Sequence, residues 1–376
     1  MIMYVTYFVL PLLATLTGLF IYQVFRSIRE PTSPDTSNGQ TLYNNGKSSI
    51  VSDKLTGREK EIRHIAGQIM EGQSSAIIGA FENERTLILD ALRNPELYGD
   101  NADRLIFSLL DISSLNINCT PQQFWDKALK PLQDKIADES GSELSKAYQA
   151  CQDNQFENFY LDKLFAQLKP ENWRLVLMLD RFEALLHRTN LESPEFLGGL
   201  RMLASSRYPS PLSLIIAGDI SLHQDTKDLN PMGSPYLNFI ESGEITLGAL
   251  SESEIDELLN QSEQQFTDEE RQFIKDVAGG HPHLLQLAVS ALWNAYEEEN
   301  PLKSAEQLFY NRTKSMLNNM LQSWSANTRQ AFFSVAKNGK VSDFKNELEE
   351  LEKQGFVINN NGTWQIRSRV LSNLID

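Results

Sequence analysis

The stretch Ser74-Ser75-Ala76-Ile77-Ile78-Gly79-Ala80-Phe81-Glu82-Asn83-Glu84-Arg85-Thr86-Leu87-Ile88-Leu89 sets the pattern from which the architecture follows. Its apolar run predicts a strand, Gly79 opens a polar turn, and the spacing predicts a helix from about Thr86. Strand, glycine turn and helix make the layout GxxxxGK[ST], in which backbone N–H groups and a lysine hold phosphates. Gly79 and Thr86 fall at the motif's positions. Glu84 stands at the second glycine and Arg85 at the lysine. Glycine there lets a loop wrap an anion with no side chain in the way. A carboxylate repels phosphate instead, and a planar guanidinium is bulkier than an ammonium.

Outward from this stretch, apolar runs recur at Arg104–Asp111, Arg174–Asp180, Leu212–Asp219 and Ile245–Leu247. Helical patterns lie between them at residues 120–136, 158–168 and 194–205, and an amphipathic helix through Ile62, Ile65, Ala66 and Ile69 precedes the first strand. Alternating strands and helices predict a three-layer α/β core with a parallel sheet over residues 55–250. The run ending in Asp180 reads as a buried strand that delivers a carboxylate to the carboxyl edge of the sheet.

The pattern then turns helical. Ser251 with Glu254 forms a capping box, Thr267 caps the next helix, and Gly279-Gly280-His281-Pro282 separates that helix from a third. Residues 251–307 are expected to form a helical lid. Residues 308–376 are expected to form a winged helix, with Ala331, Phe332 and Val335 on one helix and Phe344, Leu348 and Leu351 on the next. A hairpin at Asn361-Gly362 completes it.

At the amino terminus, Ile2–Phe25 carries no charge, and Arg26 and Arg29 follow it. That run gives about 36 Å of helix, enough to cross a bilayer. It predicts a single-pass anchor over residues 1–30, with the amino terminus outside, a flexible linker at 31–54 and the body in the cytoplasm at the inner membrane. The 376 residues carry a net charge of −16, which argues against nucleic acid as a partner. Two cysteines and scattered histidines suggest neither a disulfide framework nor a metal cluster.

In this order, Gly57-Arg58-Glu59, the Gly79–Thr86 stretch, the Asp180 strand, Ala217-Gly218 and the Gly279–Pro282 turn resemble the STAND branch of the AAA+-related P-loop ATPases. It is similar in particular to archaeal-ATPase-like members. The resemblance implies ATP or ADP with Mg²⁺ as cofactor. By the same resemblance Arg58, Gly79, Arg85, Thr86, His281 and Pro282 face the nucleotide, and Thr86 and Asp180 hold the metal. It also implies assembly with a protein partner or further copies. Members usually carry a glutamate after the Walker B aspartate to orient water, whereas this chain has Arg181. The expectation is therefore a membrane-tethered pseudo-ATPase serving as a regulatory or scaffolding subunit, with nucleotide binding weak or lost. Two alternatives stand beside it, a slow ATP-dependent conformational switch that oligomerises and a membrane-recruited winged-helix transcription regulator. Without a nucleotide the stretch would be a plain strand–helix turn and Asp180 a turn cap.

Overall fold

The strand Arg174–Asp180 runs through the centre of the protein, and six of its seven residues are buried. The structure is a computed structural model that describes residues 57–137, 141–205, 208–219, 243–262 and 265–373. In chain order the core elements are α1 (Glu59–Glu71), β1 (Ser75–Gly79), α2 (Glu82–Ala91) and β2 (Leu105–Asp111). There follow α3 (Pro121–Ala128), α4 (Lys130–Ile136), α5 (Glu143–Asp153), α6 (Asn158–Leu168), β3 (Arg174–Asp180), α7 (Pro194–Ser205), β4 (Leu212–Gly218) and β5 (Glu244–Leu247).

The strands lie in the order β2-β3-β4-β1-β5, and every pair is parallel. Parallel strands need crossover helices on both faces, which accounts for the unbroken apolar runs. One face packs Phe124, Trp125, Phe165 and Leu177, and the other packs Ile65, Ile69, Ile88 and Met178. The register sets Asp111 opposite Asp180 at the carboxyl edge. That edge also carries Gly79, the last residue of β1.

The second half is helical: α8 (Glu252–Asn260), α9 (Asp268–Ala278), α10 (Pro282–Asn294), α11 (Pro301–Ser323), α12 (Ala326–Ala336) and α13 (Lys345–Lys353). The hairpin β6 (Val357–Asn360) and β7 (Thr363–Ile366) and the short α14 (Arg369–Asn373) close the described chain. The capping box at Ser251 and the cap at Thr267 form as predicted, and Glu270 makes the second also a capping box. Asn361 and Gly362 both take positive φ, the geometry that a two-residue hairpin turn of this twist requires. Helix α11 runs through residue 307, where a lid–wing boundary is expected, and buried side chains from Leu250 to Leu371 form one cluster that also includes Phe81.

The membrane expectation is corrected. No helix among the described residues is long and apolar enough to cross a membrane. Helix α11 has the length, at 23 residues, but carries Lys303, Glu306, Arg312 and Lys314. The run Ile2–Phe25, on which the anchor, the membrane partner and the inner-membrane location rested, lies outside the described residues. None of these is carried further.

Candidate functional site

The turn after β1 is shorter than its sequence pattern implies. β1 ends at Gly79, α2 begins at Glu82 with Phe81 as its N-cap, and Ala80 and Phe81 alone lie between them. The helix predicted from about Thr86 thus starts a full turn earlier. Phe81 O accepts from Glu84 N (3.1 Å) and Arg85 N (3.3 Å). A phosphate loop would turn such amides toward an anion; here they are spent inside the helix. Gly79 has a packing explanation, since a Cβ there would meet Leu247 Cβ at 3.0 Å.

Charges at the substituted positions satisfy one another. Arg58 Nε donates to Glu84 Oε1 (2.5 Å), Nη1 to Glu61 Oε1 (3.1 Å) and Nη2 to Gly248 O (2.5 Å). Arg85 donates to Gly79 O and lies 3.5 Å from Glu183 Oε1. Arg58, Glu84 and Arg85 are each 3% exposed or less, so the pairing takes place out of water. Burial pushes the Glu84 carboxyl above its usual range, and Arg58 offsets part of that rise. Glu183 is likewise raised, by burial first, with Arg85 opposing. The pairing of Glu84 with Arg58, 26 residues earlier, left no signal in the sequence beyond opposite charge.

Across the edge, Thr86 Oγ1 donates to Asp180 Oδ2 (2.6 Å), so the two expected metal ligands do meet. Arg181 takes a left-handed conformation, and its backbone N–H donates to Asp180 Oδ1 (2.9 Å). Its guanidinium forks onto Asp111, with Nε to Oδ1 at 2.8 Å, and onto Glu82 Oε1 (2.6 Å). Burial acts to raise the Asp111 carboxyl, but the bonds from Arg181 and Ser113 prevail and hold it below its usual range. Glu183, two residues beyond Arg181, accepts from the Asp219 amide (3.2 Å).

The lid turn closes over Phe81. Gly279 and Gly280 take positive φ, and Pro282 opens α10 with His281 as N-cap. A Cβ on Gly280 would crowd Ala249 Cβ and Leu250 O at 3.2 Å, and the Gly280 carbonyl accepts from Leu250 N (2.9 Å). The His281 ring lies edge-on to Phe81 with centroids 5.0 Å apart, and 4.8 Å from Phe356. Phe81, His281 and Phe356 thus join the β1–α2 turn, the start of α10 and the segment before β6. An apolar residue inside a polar turn was the one sequence sign of this.

His281 is 1% exposed, and neither ring nitrogen has a hydrogen-bond partner. Burial holds its pKa down to about 3, helped by Arg58 and Arg367; the Gly355 backbone opposes the shift without reaching hydrogen-bond geometry. A histidine whose folded pKa is depressed contributes stability above its unfolded value, and that contribution is lost as pH falls. Acidification from neutrality to about pH 4.5 should therefore cost about 2.5 kcal/mol through this residue. His281→Leu is expected to lose less stability over that interval, measured by thermal melts at both pH values. Equal acid losses in the two proteins would contradict the assignment.

These residues can be matched against a nucleotide with Mg²⁺. Thr86 and Asp180 supply the oxygen donors that a largely hydrated Mg²⁺ accepts. The phosphate half does not fit this conformation, because the amides of Glu84 and Arg85 are already bonded to Phe81 O. Among the described residues no group of three or more His, Cys, Asp or Glu could hold a metal.

No family profile matches the chain. No curated protein matches it either. Among solved structures it is similar to a Walker-type ATPase of Pyrococcus abyssi, with a TM-score of 0.56 and 14% identity over 88% of this chain and 99% of that one. It is also similar to the ORC2 protein of Aeropyrum pernix in ADPNP–ADP complexes, with a TM-score of 0.51 and 13% identity over 86% of this chain and 94% of that one. At these identities the likeness is one of fold. In place of the STAND assignment stands a distant, fold-level resemblance to AAA+/ORC-type P-loop NTPases, with no support for a membrane-tethered scaffold.

Proposed function

We propose that the chain is a regulatory protein on an AAA+-type fold, a conformational switch that responds to ATP or ADP and acts through assembly with further copies or a protein partner. The observation that carries this is the ring contact of Phe81, at the β1–α2 turn, with His281 and Phe356. Movement at that turn must disturb both C-terminal segments. The similar ORC2 structure is one of ADPNP–ADP complexes, which favours ATP or ADP as the effector. When bound, the nucleotide with Mg²⁺ would supply a polyanion beside Thr86 and Asp180.

Accommodation there requires the first turn of α2 to unwind, which frees the Glu84 and Arg85 amides from Phe81 O and opens the Arg58–Glu84 pair. The energetic cost of opening makes binding weak and the two conformations distinct. Binding, rather than fast turnover, is the output. Arg181 and not a carboxylate follows Asp180, and Arg181 is itself held by Asp111 and Glu82. DNA binding is disfavoured, because α13, the candidate recognition helix, presents Glu347, Glu349, Glu350 and Glu352.

Isothermal titration of the full chain with ATP or ADP and Mg²⁺, paired with light scattering, tests this. The expected result is measurable heat and a nucleotide-dependent change in mass. Both should weaken at least about tenfold in Thr86→Ala, which removes a metal-facing hydroxyl. No heat with either nucleotide and an unchanged mass would sink the switch.

A further inference from the structure

At the opposite edge of the sheet, the segments leading into β2, β3 and β4 line a half-open cavity of about 340 Å³. Its lining includes Arg104, Lys169 and Arg174, together with Asn101, Asn172 and Trp173. β3 spans Arg174 to Asp180, so this cavity lies about 20 Å from the nucleotide-side edge.

Among the described residues, none of the three cations is paired with a carboxylate. Arg174 is held entirely by carbonyls: Nε donates to Ser210 O (2.9 Å), and Nη1 to Ile69 O (2.5 Å) and Met70 O (2.8 Å). Arg104 Nη1 donates to Asn101 Oδ1 (3.2 Å). With the Asn172 amide turned as its donors require, its oxygen accepts from Arg104 Nε (3.2 Å) and Nη1 (3.0 Å). Neutral amides therefore aim the Arg104 fork without neutralising it. At the rim Lys135 lies 4.8 Å from the Trp173 ring centroid and donates to Asp103 O (2.9 Å).

Three cations facing one cavity repel one another, and nearby carboxylates would relieve this at little cost. In a chain of net charge −16 such carboxylates are abundant elsewhere, yet the described lining contains none. An oxyanion would remove the repulsion and accept from Arg104 Nη2, the group that the Asn101 and Asn172 amides leave free. The volume lies at the low end of the range for small-molecule sites, about 300–1,000 Å³.

We propose that this cavity binds a small molecule bearing phosphate or carboxylate groups, held by Arg104 and Lys169 with Arg174 as the fixed charge beside them. The site is independent of the β1–α2 turn. Titration of the full chain at low salt, with pyrophosphate and citrate as probes, tests it. At least one probe should bind one-to-one, and Arg104→Gln combined with Lys169→Gln should weaken it at least about tenfold. Both residues are exposed, so the unliganded melting temperature should not move. Stronger pyrophosphate binding assigns phosphate as the recognised group, and stronger citrate binding assigns carboxylate. Failure of both probes would overturn the proposal. So would binding that survives the double substitution, or binding that Thr86→Ala abolishes, which would place the anion at the other edge.

Discussion

Arg58→Ala is expected to lower the unfolding free energy by about 3–5 kcal/mol at neutral pH, among the largest effects for any single charge in the protein. Removing the guanidinium leaves Glu84 buried with its nearest counter-charge gone, and strands the Gly248 carbonyl without its donor. The cost comes less from a lost attraction than from a carboxylate that has neither water nor a partner. Replacing both members with apolar side chains, Arg58→Met with Glu84→Leu, should recover most of the loss, because no orphaned charge remains. Chemical denaturation of the full chain decides the matter. A loss below about 1 kcal/mol for the single substitution would mean that the pair is solvated or that the turn relaxes around it.

The same variant carries a pH signature with a definite sign. Burial already raises Glu84 in the wild type, with Arg58 as the chief opposing influence. A carboxyl raised in the folded state contributes stability that is present below its unfolded pKa and lost as pH rises through the folded value. Without Arg58 the folded value climbs further, so the charge-related part of the deficit should be small near pH 4 and grow toward neutrality. A deficit that instead grows on acidification would point to a different partner for Arg58.

The sheet was legible because parallel strands buried on both faces must be apolar along their whole length, and Arg174–Asp180 and Leu212–Gly218 have no competing reading. Capping boxes and the Asn361-Gly362 hairpin were legible because each rests on local hydrogen bonds within a few residues. Helix α5 was not assigned, since its buried face consists of just Leu144, Tyr148 and Cys151 among polar residues. The Thr120–Ile136 segment was read as one helix, but the chain breaks at Leu129, ahead of Pro131.

The site itself was half legible. Thr86 and Asp180 lie together, as the family resemblance implies for a shared metal, whereas the residue types at Glu84 and Arg85 signal only what they would do to phosphate. Their effect on the backbone was the larger one. With no glycine at 84, residues 82–85 are free to continue as helix, and the loop shortens to Ala80 and Phe81. Glu84 then faces Arg58 and not an anion, a long-range consequence that no local pattern encodes.

Phe356→Ala should cost about 3–5 kcal/mol of stability, the range for truncating a fully buried aromatic. Its ring lies 4.8 Å from His281, 5.0 Å from Trp324 and 6.3 Å from Phe81. Gly355, just before it, has positive φ, and a Cβ there would stand 2.3 Å from Ala249 N. The backbone after β5 is therefore packed directly on Gly355, and collapse into the space vacated beside it should be incomplete. Phe81→Ala should cost a comparable amount, but the double variant should fall short of the sum, with a coupling of about 0.5–1.5 kcal/mol or more for contacting rings that share a cavity. That coupling tests the switch directly, because the turn can inform the C-terminal segments only if Phe81 and Phe356 are energetically linked. If the two losses add without a coupling term, the stack is mere packing and the signal must travel another way. If they couple, Phe356→Ala should also separate nucleotide binding from the change in mass, leaving the heat of titration in place while the assembly response is lost.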